Sequence, residues 1–97
     1  MEFLILSPSL AEHRKRERII MQAVMEAAEN LGITRIVKRR CGVLTIGVYV
    51  VDGSGKKLLY NDWEKKWGQD EIYESIMSSL RSFHNNRKSS EIILTIS

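Results

Sequence analysis

Apolar positions recur along the chain with two periods, and the switches between them mark out the elements. Phe3-Leu4-Ile5-Leu6 is a short apolar block closed by Ser7-Pro8-Ser9, which predicts a buried strand of about four or five residues. Ser9 and Glu12 have the spacing of a capping box, and Pro8 disfavours helix before them. Gly32 stands where a left-handed residue ends a helix that reaches Asn30-Leu31. That helix would be roughly 22 residues and about 33 Å long. Ile20, Ala23, Val24, Ala27 and Leu31 form its apolar stripe. Projected back towards the N-terminus, the stripe meets Glu17, Arg16 and His13, so the first turns lack a continuous apolar face. They either overhang the core or pack against something else.

The period then becomes two. Thr34 to Arg40 is β-branched without clean alternation and is expected to be an edge strand. Val43 to Val51 is the strongest strand signal. Leu44, Ile46, Val48 and Val50 point one way, and Val43, Thr45, Gly47, Tyr49 and Val51 the other. Both faces are largely apolar, which predicts a central strand with cover on each side. Asp52-Gly53-Ser54-Gly55 is a hairpin signal, and Lys57 to Asn61 returns as the partner strand. Asp62 to Gly68 is a polar connection carrying Trp63 and Trp67. A second helix follows, capped by Asp70, with Ile72, Ile76, Leu80 and Phe83 in one stripe and Met77 alongside. Asn85 to Ser90 reads as a loop, and Ile92, Leu94 and Ile96 alternate in what is expected to be a final strand. The predicted fold is a single α+β domain over residues 1–97. Its order is β-α-β-β-β-α-β, with two helices on a four- to five-stranded mixed sheet.

Composition narrows the class. Of 97 residues, 43% are hydrophobic, 28% charged and 7% aromatic, with one Pro and six Gly, which excludes disordered, collagenous and low-complexity chains. No apolar run approaches the length of a membrane span, and Met-Glu-Phe-Leu has neither the basic leader nor the apolar length of a signal peptide. One cysteine, Cys41, cannot form an intrachain disulfide, and with two histidines no dedicated metal site is expected. A cytoplasmic domain without metal or cofactor is the resulting expectation.

Charge changes the picture through its distribution. The net charge of +3 is compatible with almost any partner. Arg14, Lys15, Arg16 and Arg18 form one basic cluster, and Arg35, Lys38, Arg39 and Arg40 another; Lys56, Lys57, Lys65 and Lys66 add a third group. Phosphate neutralisation needs clustered cations, and unpaired bases need exposed rings on which to stack. Arg14, Lys15, Arg16, Arg18, Lys38, Arg39, Arg40, Lys65 and Lys66 are therefore the candidate nucleic-acid contacts. Trp63-Glu64-Lys65-Lys66-Trp67 would supply rings and cations together if the indoles are exposed. In the bland alternative the tryptophans close the bottom of the core and the lysines stay solvated.

Catalytic chemistry has little to stand on. Cys41 could in principle meet His13 or His84, but no local signature places them together, and a small half-buried residue is the simpler role. His13 and Glu17 have the spacing of a solvated helix pair, and His84 suits the carbonyl end of the second helix. Gly53 to Lys57 contains Gly-x-Gly-Lys, but it joins two strands rather than opening a helix, so it cannot form a P-loop. No catalytic residue is assigned.

Two resemblances in element order remain. Asp52 with Glu64 and Lys66, on a helix, three strands, a helix and a strand, resembles the core of restriction-endonuclease-type nucleases. That resemblance implies a divalent ion between neighbouring carboxylates. Here Asp52 sits at the hairpin turn and Glu64 far down the return strand, tens of Å apart at about 3.4 Å per residue. Residues 10–84 are similar in order to the double-stranded-RNA-binding fold, which implies a lysine-rich patch at the start of the second helix. This chain has Asp70, Glu71 and Glu74 there, which repel phosphate.

Protein association is the third possibility. If both helices cover one sheet face, apolar residues of the other have no partner within the chain, and such a face usually marks an interface. Val43, Thr45, Tyr49, Val51, Ile93, Trp63 and Trp67 are the candidate interface. The expected function is thus a small non-enzymatic binding protein, acting as a homodimer or through a protein partner, with no membrane role. The alternative is a nucleic-acid-binding regulatory protein using residues 14–18 and 38–40. A small nuclease-like enzyme comes third.

Overall fold

Alternation in the first strand sorts its side chains onto two faces, and the rest of the sheet follows that phase. The computed structural model describes the backbone of residues 1–96 and the side chains of residues 1–83. Strand β1 runs Glu2–Pro8, with Phe3, Ile5 and Ser7 buried on one face and Leu4 and Leu6 half-buried on the other. Pro8 is still in the ladder, opposite Cys41, so Ser9 and Leu10 serve to turn the chain. The first helix is therefore entered through a 3-10 turn, Ala11–His13, without the Ser9–Glu12 capping box, and no side chain caps it. Helix α1 spans Arg14–Leu31. Gly32, at φ 72°, ends it as expected. The Gly32 and Ile33 amides donate back to Glu29 O at 3.4 Å and Ala28 O at 2.9 Å, the pattern of a Schellman motif.

Strands β2 (Ile36–Cys41), β3 (Gly47–Asp52) and β4 (Gly55–Asn61) complete a four-stranded mixed sheet of order β2-β1-β3-β4. β2 lies parallel to β1 at one edge, while β3 is antiparallel to both β1 and β4. β3 is interior, as its two apolar faces predicted, but it starts only at Gly47 because its ladder with β1 ends at Leu6–Gly47. Val43, Leu44 and Thr45 thus belong to the connection from β2. At the hairpin, Asp52 Oδ1 accepts from the Ser54 amide at 2.8 Å and from its hydroxyl at 2.6 Å. The positive φ falls on Gly55 (122°).

After a short turn, Asp62–Glu64, helix α2 runs Gln69–Ile96. Here the structure corrects the sequence reading: residues 85–90 are not a loop and residues 92–96 are not a strand. No glycine or proline follows Gly68, and Asn and Ser cost a helix only tenths of a kcal/mol each, so nothing in the chain stops it. Ile92 and Ile96 satisfy a helical spacing as well as an alternating one. A β-bulge at Leu59 of β4, opposite Val48 and Tyr49 of β3, lets Leu59 and Tyr60 both be buried. Both helices pack on the Phe3, Ile5, Val48 and Val50 face. Ile20, Val24 and Ala27 of α1 meet Ile72 and Ile76 of α2 in one core.

Candidate functional site

Four polar positions that continue the core stripes converge at one end of the sheet. Glu17 lies four residues after His13 and three before Ile20 on the inner face of α1; Ser7 is in phase with Phe3 and Ile5 on β1; Lys38 and Arg40 are in phase with Ile36 on β2. Glu17 is 6% exposed. Its carboxylate accepts from Ser7 Oγ at 2.7 Å, Lys38 Nζ at 2.7 Å and Arg40 at 3.3 Å. Burial pushes the Glu17 carboxyl up, but these three donors outweigh it and hold it down at about 2. The first turns of α1 do not overhang the core. They pack on it through charge.

The other flank of α1 holds the connection between β4 and α2. Arg16 binds Asp62 through two nitrogens, at 2.6 and 3.3 Å, and donates to Tyr60 Oη and to the backbone carbonyls of Lys66 and Trp67. Its bond to Asp62 raises the already high guanidinium pKa. Burial, with Asp62 accepting its proton at 3.0 Å, pushes the Tyr60 hydroxyl up to about 12. Asn61 Oδ1 accepts from the Trp63 amide and from Thr45 Oγ1, and Lys65 closes the turn at φ 50°. The segment carrying both tryptophans is thereby tied at several points, yet Trp63 is 68% and Trp67 82% exposed. They do not close the core.

Of the candidate nucleic-acid contacts, Arg16, Lys38 and Arg40 are engaged with Asp62 or Glu17, whereas Arg14, Lys15, Arg18, Arg39 and Lys65 are exposed and Lys66 is half-buried. Because Glu17 joins α1 to β2 and Arg16 joins it to the Trp63–Trp67 segment, clusters far apart in sequence meet at one end of the molecule. Arg39 alone faces the opposite side of the sheet, opposite Leu6. Beside Trp67, an open groove of about 580 Å³ is lined by Glu64, Asp70, Glu71 and Glu74 with Lys66.

Of the candidate interface residues, Tyr49 and Val51 share the outer sheet face. The register places Leu4, Leu6 and Val37 beside them, with Leu58, 45% exposed, at its β4 side. None of these six belongs to the core cluster or to the side chains packed on it. Gly47 leaves room there for the Tyr49 ring, which a Cβ would meet at 3.0 Å. Val43 and Thr45 lie in the β2–β3 connection, and the side chains of Ile93 and His84 lie outside the described residues.

Glu17 is held anionic and Tyr60 neutral, each far from titrating near pH 7. His13 faces Glu12 at 3.6 Å, and among the described residues no group of three or more His, Cys, Asp or Glu is placed to hold a metal. Asp52 and Glu64 are at opposite ends of the β3–β4 hairpin, and β1 separates β2 from β3, so the three-strand meander of either resemblance is not formed. Among the described residues, no helix is long and apolar enough to cross a membrane. Comparison with protein-family models, curated proteins and solved structures finds no match.

Proposed function

We propose that the protein is a small non-enzymatic binding protein that works as a homodimer, two copies meeting through the outer faces of their sheets. The observation that carries this reading is the set Leu4, Leu6, Val37, Tyr49, Val51 and Leu58. It forms one apolar face on the side of the sheet away from both helices. A second copy is the occupant that suits it. Around the apolar row Val37, Leu4, Tyr49 and Leu58, Glu2 is paired with Arg35 at 2.9 Å, Arg39 lies beside Leu6, and Lys56 Nζ sits 4.8 Å from the Tyr49 ring centre, so a two-fold contact has to turn these cations outward. A self-complementary apolar patch is what a two-fold contact requires.

Four strands about 4.8 Å apart and about six residues long span roughly 20 by 20 Å, or about 400 Å² per copy. That is at the small end for specific interfaces, so the dimer is weak and its dissociation constant micromolar or higher. Light scattering across a concentration series is expected to show the mass rising from 11.2 kDa towards twice that value, with little effect of salt. Tyr49→Asp is expected to hold the chain monomeric at every concentration without changing its circular dichroism. A wild-type chain that stays monomeric at millimolar concentration would overturn the reading.

A further inference from the structure

Two large indoles in water, on a segment tied down by a buried-edge ion pair, call for a partner that the sheet face does not supply. Trp63 and Trp67 are the protein's two tryptophans, and both are more than two-thirds exposed. The segment between them is not loose. Arg16 holds it through Asp62 and through the Lys66 and Trp67 carbonyls, and the Trp67 amide donates to Glu71 at 3.3 Å. A backbone held in this way loses little freedom when something stacks on the rings it carries.

The surroundings say what that is. On the α1 side, Arg14, Lys15 and Arg18 stand exposed with no ion pair among the described residues, on the helix whose Arg16 grips the tryptophan segment; Lys65 adds a cation between the rings. Glu17 and Asp62 are each neutralised by their own partners, which leaves Glu12, 3.6 Å from His13, as the exposed acid on this side. On the other side lie Glu64, Asp70, Glu71 and Glu74, which exclude phosphate. Of these two sides, a polyanion stacked on the tryptophans is favoured over the first turns of α1. Rings to stack on beside a one-sided cationic track are the ingredients of single-strand binding, whereas paired bases in a duplex offer no free face.

We infer that Trp63, Trp67 and Lys65, with Arg14, Lys15 and Arg18, form a binding site for single-stranded nucleic acid.

The two indoles are also the protein's own fluorescent reporters. Titration of the full chain with oligothymidylate of about twelve nucleotides is expected to quench tryptophan emission. With four phosphates neutralised, affinity should fall about fiftyfold between 50 and 200 mM salt. Trp63→Ala and Trp67→Ala should each weaken binding about tenfold or more, read by anisotropy of a labelled oligonucleotide. Arg14→Glu with Arg18→Glu should abolish it, while thermal midpoints stay within a few degrees because all these side chains are exposed. Tyr49→Asp should leave the quench intact, so failure of the dimer and failure of this site are separable.

Absence of quenching at low salt would overturn the inference. So would equal affinity for a blunt duplex with unquenched emission. A blue shift with phosphatidylglycerol vesicles but no response to the oligonucleotide would overturn it too, and assign the surface to lipid.

Discussion

Glu17 is the residue on which the end of the sheet depends. Its carboxylate, nearly buried, receives Ser7, Lys38 and Arg40 from two strands, and these donors hold it at about 2 against an ordinary 4.5. A carboxyl lowered on folding contributes stability above its unfolded value and loses it as pH falls through the folded one. The contribution is therefore complete above about pH 4.5 and lost between there and about pH 2. Glu17→Gln is expected to cost about 2–3 kcal/mol at pH 7, with the gap to wild type closing near pH 2. Urea unfolding at pH 7 and pH 2.5 measures it, and an equal gap at both would refute the assignment. The cluster was half legible in the chain. Glu17 and Ser7 interrupt apolar stripes at in-phase positions, which marks them as inward-facing. That Lys38 and Arg40 would answer them was not, because nothing local says that β2 pairs with β1 in parallel. By sequence alone those two cations belong to a basic cluster and are candidate nucleic-acid contacts.

Between elements, Arg16 plays the corresponding role on the other flank of α1. It joins the helix to the end of β4 and to the segment leading into α2. Removing it leaves Asp62, whose side chain is 12% exposed, without its cation. Arg16→Gln is expected to destabilise by about 2 kcal/mol and to free the tryptophan segment. Time-resolved anisotropy of Trp63 and Trp67 should then show a larger fast component; unchanged anisotropy would mean the segment is held by something else. At this scale the sequence was most informative about what its punctuation controls. Gly32 ends α1 and Asp52 to Gly55 turns the hairpin where expected. The reading failed where punctuation is missing. Residues 85–96 contain no glycine or proline, and their apolar run suits either period, so alternation predicts a strand where the backbone continues as α2. The capping box failed for a different reason, since Pro8 remains in the β1–β2 ladder and displaces the helix start to Arg14.

For the whole molecule, the charges decide how copies can meet. A four-stranded open sheet has two edges and one uncovered face, and each could recruit a second chain. β2 forms one edge and carries Lys38, Arg39 and Arg40 in succession; β4 forms the other and carries Lys56 and Lys57. Pairing either edge with its own copy would set like charges opposite one another, a known protection against edge-to-edge association. α2 also packs along β4: Ser79 Oγ donates to Leu59 O at 2.8 Å, and Lys57 Nζ lies 5.3 Å from the Phe83 ring centre. The face, by contrast, is apolar from Leu4 to Leu58. Association through it leaves the outward amides of β2 open to water, whereas association through an edge pairs them. Hydrogen exchange of Ile36–Cys41 in dilute and in concentrated samples separates the two routes. Rates on β2 are expected to be the same in both while the mass doubles. Slowing confined to β2 on concentration would show edge pairing, and the homodimer would then have to be rebuilt around that strand.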